Sequence, residues 1–444
     1  MGGGGNALFR FPLRAGDASK GGMTQGTMQG ASHKRILGAA MAGTAVEFYD
    51  FYIFATAASL VFGPLFFPTS SPEAQLLQSW LTFVGIGEDG AAALSRPARA
   101  ALRSAEIVFG GPRHLALARA GDRGRAWPVP FDAGPVLALR GRRVAVVASG
   151  DPFWHGAGGS LAPHLAPGEW ASHPAASTFQ LVANRLGWRL EETACLGLHA
   201  APFARLVPHL HAGARVIALL RDGAAPAALA AWLAGRGQGD SVIHVLERLG
   251  GAAERIRTVR AAAFDLADIA APVAVALVAE GPGLPRCAGL RDDGFAHDGQ
   301  ITRAPVRALT LAALAPRPGL HLWDIGAGSG SVSVEFCLAG GHASAVEARA
   351  DRAANIRANA GAFGIDHRLR VVEGRAPAAL DGLERPDAVF VGGGCDAALL
   401  DRLWALLDPG ARMVVNAVTL ETEALLVARH AGLGGALMRI AIAE

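Results

Sequence analysis

The residues best placed to do chemistry lie in "GLHLWDIGAGSGSVSVEF", where an apolar run ends in Asp324 and opens into Gly326, Gly328 and Gly330. Glycines permit positive φ and let a ligand approach the peptide amides, and a following helix N-terminus offers unpaired N–H donors. That combination suits a nucleotide-like ligand. A dinucleotide fingerprint would need glycine where Ser331 stands, which weakens an NAD reading. Further on, "ASAVEARADRAANIRANA" puts Glu347 at the end of a second apolar strand, where an acid can accept both ribose hydroxyls. Together these features fit S-adenosylmethionine (SAM). A tight turn with no ligand is the plainer alternative, and the acid in register with a strand and a helix favours the pocket.

Holding such a site requires a strand, a glycine turn and a helix in order. Residues 320–325 read as a central parallel strand, and apolar positions recur at helical spacing from Ser331 onward. The segment "HDGQITRAPVRALTLAALAPRPG" precedes them as a helix. "RLRVVEGRAPAAL", "RPDAVFVGGG" and "GARMVVNAVTLETEALL" follow as three more strand-then-helix units. The sum is a doubly wound parallel sheet whose ligand edge lies at the strand C-termini, where residues 373–376, 392–394 and 416–419 fall.

The chain has 444 residues, 51% of them hydrophobic, enough for two or three domains. Alanine supplies much of that fraction, so composition alone does not indicate a membrane protein. A net charge of +3 without a basic tract gives no electrostatic case for nucleic acid. Cys195, Cys287, Cys337 and Cys395 are widely spaced, which argues against a zinc site or a disulfide framework and predicts buried thiols in a reducing compartment; a cytoplasmic location is expected. No metal site is expected.

Residues 1–32 read as a disordered tail and 33–79 as a hydrophobic, transmembrane-like helix. Within the latter, "EFYDFYIFATAASLVF" resembles the first helix of metabolite:proton symporters of the major facilitator superfamily. No second span follows to enclose a transport path, so a functionless appendage is the favoured reading. Membrane association through residues 36–67 is the alternative.

From Trp80 the character changes. A short strand at 81–84 runs into Gly85 and Gly87, and a buried strand at 144–148 runs into Gly150, Asp151, Pro152 and Gly156. This pair of signatures resembles the tetrapyrrole methylase family, whose members open on such a glycine turn and hold SAM at a later GDPxxxG loop, between two α/β lobes. "WASHPAASTFQLVANRLGW" is similar to the family's next segment, with PAAST in place of PGxSS. A second lobe of alternating strands and helices reaches about residue 278, and "AEGPGLPRCAGLRDDGF" marks a boundary.

The order of the two units, with the strings "HDGQ", "GAGSG", "EGRAPAAL" and "NAVTLE", resembles the decarboxylating precorrin methyltransferases of aerobic cobalamin synthesis. The expected architecture is α/β throughout: a two-lobed tetrapyrrole methylase domain at 80–280, a linker at 281–296 and a Rossmann-type SAM methyltransferase domain at 297–444. The resemblance implies methylation of carbons 5 and 15 of the macrocycle and decarboxylation of the ring C acetate. By position it implies Gly85, Gly87, Asp151 and Gly156 as SAM contacts in the first domain. Thr302, Gly326, Gly328, Gly330, Glu347 and Ala376 are the corresponding contacts in the second.

Arg303, Arg307 and Arg375 are expected to bind substrate carboxylates, Arg303 standing where the family usually has lysine. The chain ends at "RIAIAE", after a sixth strand, where the family continues into a seventh, antiparallel one. A truncated sheet with an exposed edge and an impaired second activity are therefore expected. A homo-oligomer is expected as well.

Methyl transfer from a sulfonium needs alignment more than an activated nucleophile. No Ser-His-Asp or Cys-His set is evident, the catalytic residues stay unassigned, and His155 and His297 are expected to be structural or substrate-facing rather than bases. The competing functions are a SAM methyltransferase of another small molecule and a membrane-anchored or transport-related fusion protein.

Overall fold

The computed structural model describes residues 6–10 and 79–442. The expected hydrophobic helix lies outside them except for Ser79, as does the expected tail except for residues 6–10. Among the described residues no helix is long and apolar enough to cross a membrane.

Strand β1, Asn6–Arg10, comes first in the chain. The first lobe comprises β2 (Leu81–Ile86), α1 (Arg96–Ser104), β3 (Ile107–Gly110), α2 (Pro112–Leu117), β4 (Gly124–Ala126), α3 (Gly134–Leu137), β5 (Val144–Ser149), α4 (Ala157–Leu161) and β6 (Trp170–His173). Its strands form a parallel sheet in the order β4-β3-β5-β2-β6. The Val and Ala run of β5 is buried on both faces, as a central parallel strand covered by helices must be.

The second lobe comprises α5 (Thr178–Leu186), β7 (Thr193–Gly197), β8 (Arg215–Leu220), α6 (Ala225–Ala234), β9 (Val242–Glu247), β10 (Arg255–Arg260) and β11 (Val273–Val278). Its sheet runs β10-β9-β11-β8-β7 and is antiparallel apart from β7 with β8. A capping box starts α5: Ser177 Oγ accepts from the Gln180 N–H, and Gln180 Oε1 accepts from the Ser177 N–H. The altered PAAST segment therefore ends as a helix cap, which fixes its loop beside the cleft.

The third unit comprises α7 (Ala304–Leu314), β12 (His321–Ile325), α8 (Ser331–Leu338), β13 (His342–Glu347), α9 (Ala350–Ala362), β14 (Leu369–Glu373), β15 (Ala388–Val391), α10 (Ala397–Leu406), β16 (Arg412–Ala417), α11 (Leu420–Leu433) and β17 (Ala436–Ile440). The sheet order is β14-β13-β12-β15-β16-β1-β17, and β12 to β16 are parallel. β1 lies antiparallel to both β16 and β17. The place where the resemblance leads one to expect a missing strand is thus occupied by Asn6–Arg10, from within the stretch expected to be a tail.

The segment expected as a linker is docked rather than free. Glu335 accepts from the Gly289 and Leu290 amides at 2.7 and 3.0 Å, and Leu290 and Phe295 are buried in the core of the third unit. The third unit also touches the second lobe: a Cβ on Gly364 would lie 2.0 Å from the Ala204 carbonyl oxygen, and Arg205 approaches Asp366 at 3.9 Å. All four cysteines are free. Cys337 is buried, and burial pushes its thiol up to about 12. Cys287 is exposed, so the expectation of buried thiols fails there.

Candidate functional site

In the third unit, the ends of β12, β13, β14 and β15 meet at one edge. The Gly326 and Ala327 amides donate to the Val346 carbonyl, Gly374 donates to Glu347, and Gly392 donates to Ile325. Gly326, Gly328 and Gly330 all have positive φ, between 59° and 72°. Two of them are also needed for packing. A Cβ on Gly326 would lie 2.7 Å from the Gly393 carbonyl oxygen, and one on Gly330 would lie 2.8 Å from Ile356 Cγ2. Gly328 has open space beside it, its nearest neighbour being the Gln300 carbonyl oxygen at 3.7 Å.

Glu347 closes this turn. Its Oε2 accepts from the Gly328 N–H at 2.9 Å and its Oε1 from the Arg349 N–H at 3.0 Å. Below it Asp324 is buried, with Oδ2 accepting from the Ser333 hydroxyl at 2.6 Å and the Ser333 N–H at 3.2 Å. Burial pushes Asp324 up to about 6, the Glu347 charge adding to the effect, and its Oδ1 has no partner. Thr302 lies just before α7, and its carbonyl accepts from the Arg307 guanidinium. Ala376 lies with Arg375, Asp381 and Arg402 around an open cavity of about 430 Å³ beyond β14. The open space at Gly328, the placed carboxylate of Glu347 and the orphaned Asp324 oxygen suit a polar, ribose-bearing ligand.

The three arginines do not act as a set. Arg307 is fully buried, 2.6 Å from Glu335 and 3.0 Å from Asp292, and it donates to the Leu290 carbonyl. Its expected substrate contact is therefore corrected: this guanidinium is spent on pinning the 281–296 segment to α8. Arg303 is exposed at the start of α7, 3.5 Å from Asp292. Arg375 is exposed in the open cavity beside Ala376.

Between the first and second lobes lies a cavity of about 440 Å³. Gly87, Gly150 and Gly156 line it from one sheet, and Leu220, Leu246 and Val273 from the other. Gly85 and Asp151, expected as contacts, are not among the lining residues. A Cβ on Gly85 would lie 1.9 Å from the Gly150 carbonyl oxygen, so this glycine lets two loops meet. Asp151 Oδ1 accepts from the Phe153 N–H at 2.8 Å and shapes the loop.

Sequence reasoning singled out His155 and missed the rest of the cavity's polar lining. Arg113, paired with Glu88, and His114 stand on α2, while His155 and His199 line the same cavity. Burial, with Arg113 nearby, lowers His114 to about 4. The signal for α2 was the Gly-Gly-Pro turn after β3, which sets its start at the edge of the parallel sheet. Among the described residues no His, Cys, Asp or Glu cluster could hold a metal.

Two family models match the chain: tetrapyrrole (corrin/porphyrin) methylases over residues 80–265, and the precorrin methyltransferase domain over 293–444. The precorrin-6Y C(5,15)-methyltransferase [decarboxylating] of Sinorhizobium sp is 47% identical, covering 84% of this chain and 93% of its own length. Its counterpart in Mycobacterium tuberculosis (strain CDC 1551 / Oshkosh) is 41% identical over 80% of this chain and 92% of its own. A probable cobalt-precorrin-6B C(15)-methyltransferase (decarboxylating) of Saccharolobus solfataricus is 34% identical over 142 residues, 30% of this chain and 71% of its own. The solved C-terminal domain of the Rhodobacter capsulatus precorrin-6Y C5,15-methyltransferase is 60% identical, covers 36% of this chain and 88% of that one, and has a TM-score of 0.36.

Proposed function

The chain belongs to the precorrin-6Y C(5,15)-methyltransferase (decarboxylating) family, and from that premise we propose that each of its two clefts moves a methyl group from SAM to one carbon of precorrin-6Y. The activity is SAM-dependent C-methylation with decarboxylation in cobalamin synthesis. The observation that carries the two-site reading is the presence, in one chain, of a cavity between two lobes and a glycine crevice closed by Glu347. The shorter relative named for C(15) methylation with decarboxylation matches a stretch about as long as the third unit, which favours assigning carbon 15 and the decarboxylation to that unit.

SAM supplies an electrophilic methyl group on a sulfonium. The protein's share is alignment and charge. Positioning of reactants in line can contribute about 7–11 kcal/mol. Glu347, at the end of β13, is placed to accept ribose hydroxyls next to Gly328, where no side chain obstructs approach. In the first domain Gly87 and Gly156 keep the cavity wall at backbone level, and the Leu220, Leu246 and Val273 face excludes water. Arg375, exposed beside Ala376, is placed to pair with a carboxylate of the macrocycle. Carbon dioxide leaves the acetate, the electrons of the broken C–C bond pass into the conjugated ring, and a proton from solvent completes the methyl group left behind, so no further electron sink is required of the protein.

Titration of the full chain with S-adenosylhomocysteine tests the two-site reading. Two equivalents are expected in the wild type and one in the Glu347→Ala variant. Saturation at one equivalent in the wild type would contradict it.

A further inference from the structure

Two imidazoles line the first-domain cleft without a role in the alignment just described. His155, between β5 and α4, has φ of 58°, a left-handed conformation that few side chains other than Asn, Asp and His adopt. Such conformations persist where the surroundings enforce them, and they gather at working sites. The surroundings here do enforce it. A Cβ on Gly156 would lie 2.4 Å from the Pro152 carbonyl oxygen, and Trp154 stacks on Phe179 with centroids 5.0 Å apart. His199 reaches the same place from the other lobe, just past β7. The two rings converge over Gly197: a Cβ there would lie 3.4 Å from His155 Nδ1 and 3.4 Å from His199 Cε1. Both residues line the cavity, where they are partly desolvated yet keep contact with solvent.

Resting on the methyltransferase reading, we propose that His155 is the catalytic base of the first domain, taking the proton that the macrocycle sheds after its carbon is methylated and releasing it to solvent. The electron pair of the ring carbon forms the new C–C bond while the S–C pair stays with sulfur. The positive charge thereby moves from the sulfonium to the macrocycle. Loss of a ring N–H proton to the imidazole nitrogen restores the neutral ring and leaves an imidazolium, which passes its proton to water. The expectation that His155 is no base is revised on this geometry.

Burial, with His199 nearby, holds His155 below the ordinary histidine value, so the ring is neutral and able to accept a proton at neutral pH. The other titratable groups lining the cavity are Glu88, Arg113 and His114, with Asp151 on the same loop as His155. Glu88 is paired with Arg113, and His114, at about 4, is too weak a base to compete.

The test follows methylation of precorrin-6Y at carbon 5, the carbon left to the first domain, by the full chain from about pH 5 to 8, the range in which imidazoles titrate. The wild-type rate should rise with pH through the His155 titration and then level. His155→Asn keeps a residue that tolerates positive φ and removes the base. It should lose on the order of 100-fold in rate and flatten the profile, with S-adenosylhomocysteine affinity changed by less than about threefold. His155→Gly should regain at least about tenfold with added imidazole. NMR titration of the His155 ring should give a pKa below that of free imidazole. A His155→Asn rate within about threefold of wild type, or a His155→Gly variant that binds S-adenosylhomocysteine but ignores imidazole, would overturn the proposal. A wild type that transfers no methyl at all would instead overturn the functional reading beneath it.

Discussion

Leu8 stands opposite Asn416 in the antiparallel ladder between β1 and β16, so a strand from the start of the chain lies inside the sheet of its last domain. Asn416 is also tied to α7, its Nδ2 donating to Thr310 Oγ1 at 3.1 Å. On the other side Leu8 is in register with Met438 of β17, and β1 is the only ladder neighbour of β17 among the described residues. The far edge of the Rossmann sheet therefore depends on residues separated from it by the whole first domain.

Leu8→Pro removes a backbone donor from a strand paired on both sides, leaving a carbonyl partner unmatched. The third unit should lose about 1–3 kcal/mol. Amide exchange at Ala436–Ile440 should accelerate while exchange in β12 and β13 stays slow. Native-state hydrogen exchange reads this directly, and unchanged protection across β17 would contradict the pairing.

Arg307→Met leaves the Glu335 carboxylate buried with its guanidinium partner gone. Stripping one member of a buried pair costs about 3–5 kcal/mol. Urea unfolding should show a loss of that size. Arg375→Ala, at an exposed position, should change stability by less than about 0.5 kcal/mol and raise the KM for the macrocycle. The reverse pattern would return Arg307 to the substrate and remove Arg375 from it.

Asp324 titrates at about 6 because it is buried, above the ordinary aspartate value. The folded state therefore holds this proton more tightly than the unfolded state does. Its favourable contribution is present at acid pH below the unfolded value and is lost as pH rises through about 6. Asp324→Asn keeps the shape and cannot ionise. Its stability relative to wild type should grow between about pH 4 and 7, by up to about 3 kcal/mol. Thermal melts at several pH values check this, and parallel curves for the two proteins would contradict it.

Gly85→Ala would place a methyl group 1.9 Å from the Gly150 carbonyl oxygen and 2.5 Å from the Ala175 nitrogen. Both neighbours are backbone, so the loops must separate. Overpacking of this kind costs about 1–3 kcal/mol. Circular dichroism melts should show that loss together with weaker S-adenosylhomocysteine binding in the first domain. A variant as stable as wild type would mean that the two loops are not in contact.

The glycine turns were legible because their cause is local: a strand end, a positive φ and a helix start lie within a dozen or so residues, and the apolar runs on either side announce the sheet. The position of Glu347 at the end of β13 was legible for the same reason. What the sequence did not disclose were the partners. Arg307 occupies a position on α7 that suits a ligand contact, yet it meets Glu335 on α8, and helical spacing carries no information about that pairing. Gly85 and Asp151 sit within the right motifs but shape loops rather than line the cavity. The placement of Asn6–Arg10 was the least legible. A short strand chooses its neighbour through non-local hydrogen bonds, and its own residues show no strong alternation.

Both clefts are proposed to work on one tetrapyrrole. The most direct measurement is the mass of the product formed when the purified full chain is incubated with precorrin-6Y and methyl-labelled SAM. The expected product carries two labelled methyl groups and lacks one carbon dioxide. A product with no labelled methyl group, or with two methyl groups and every carboxylate retained, would contradict it.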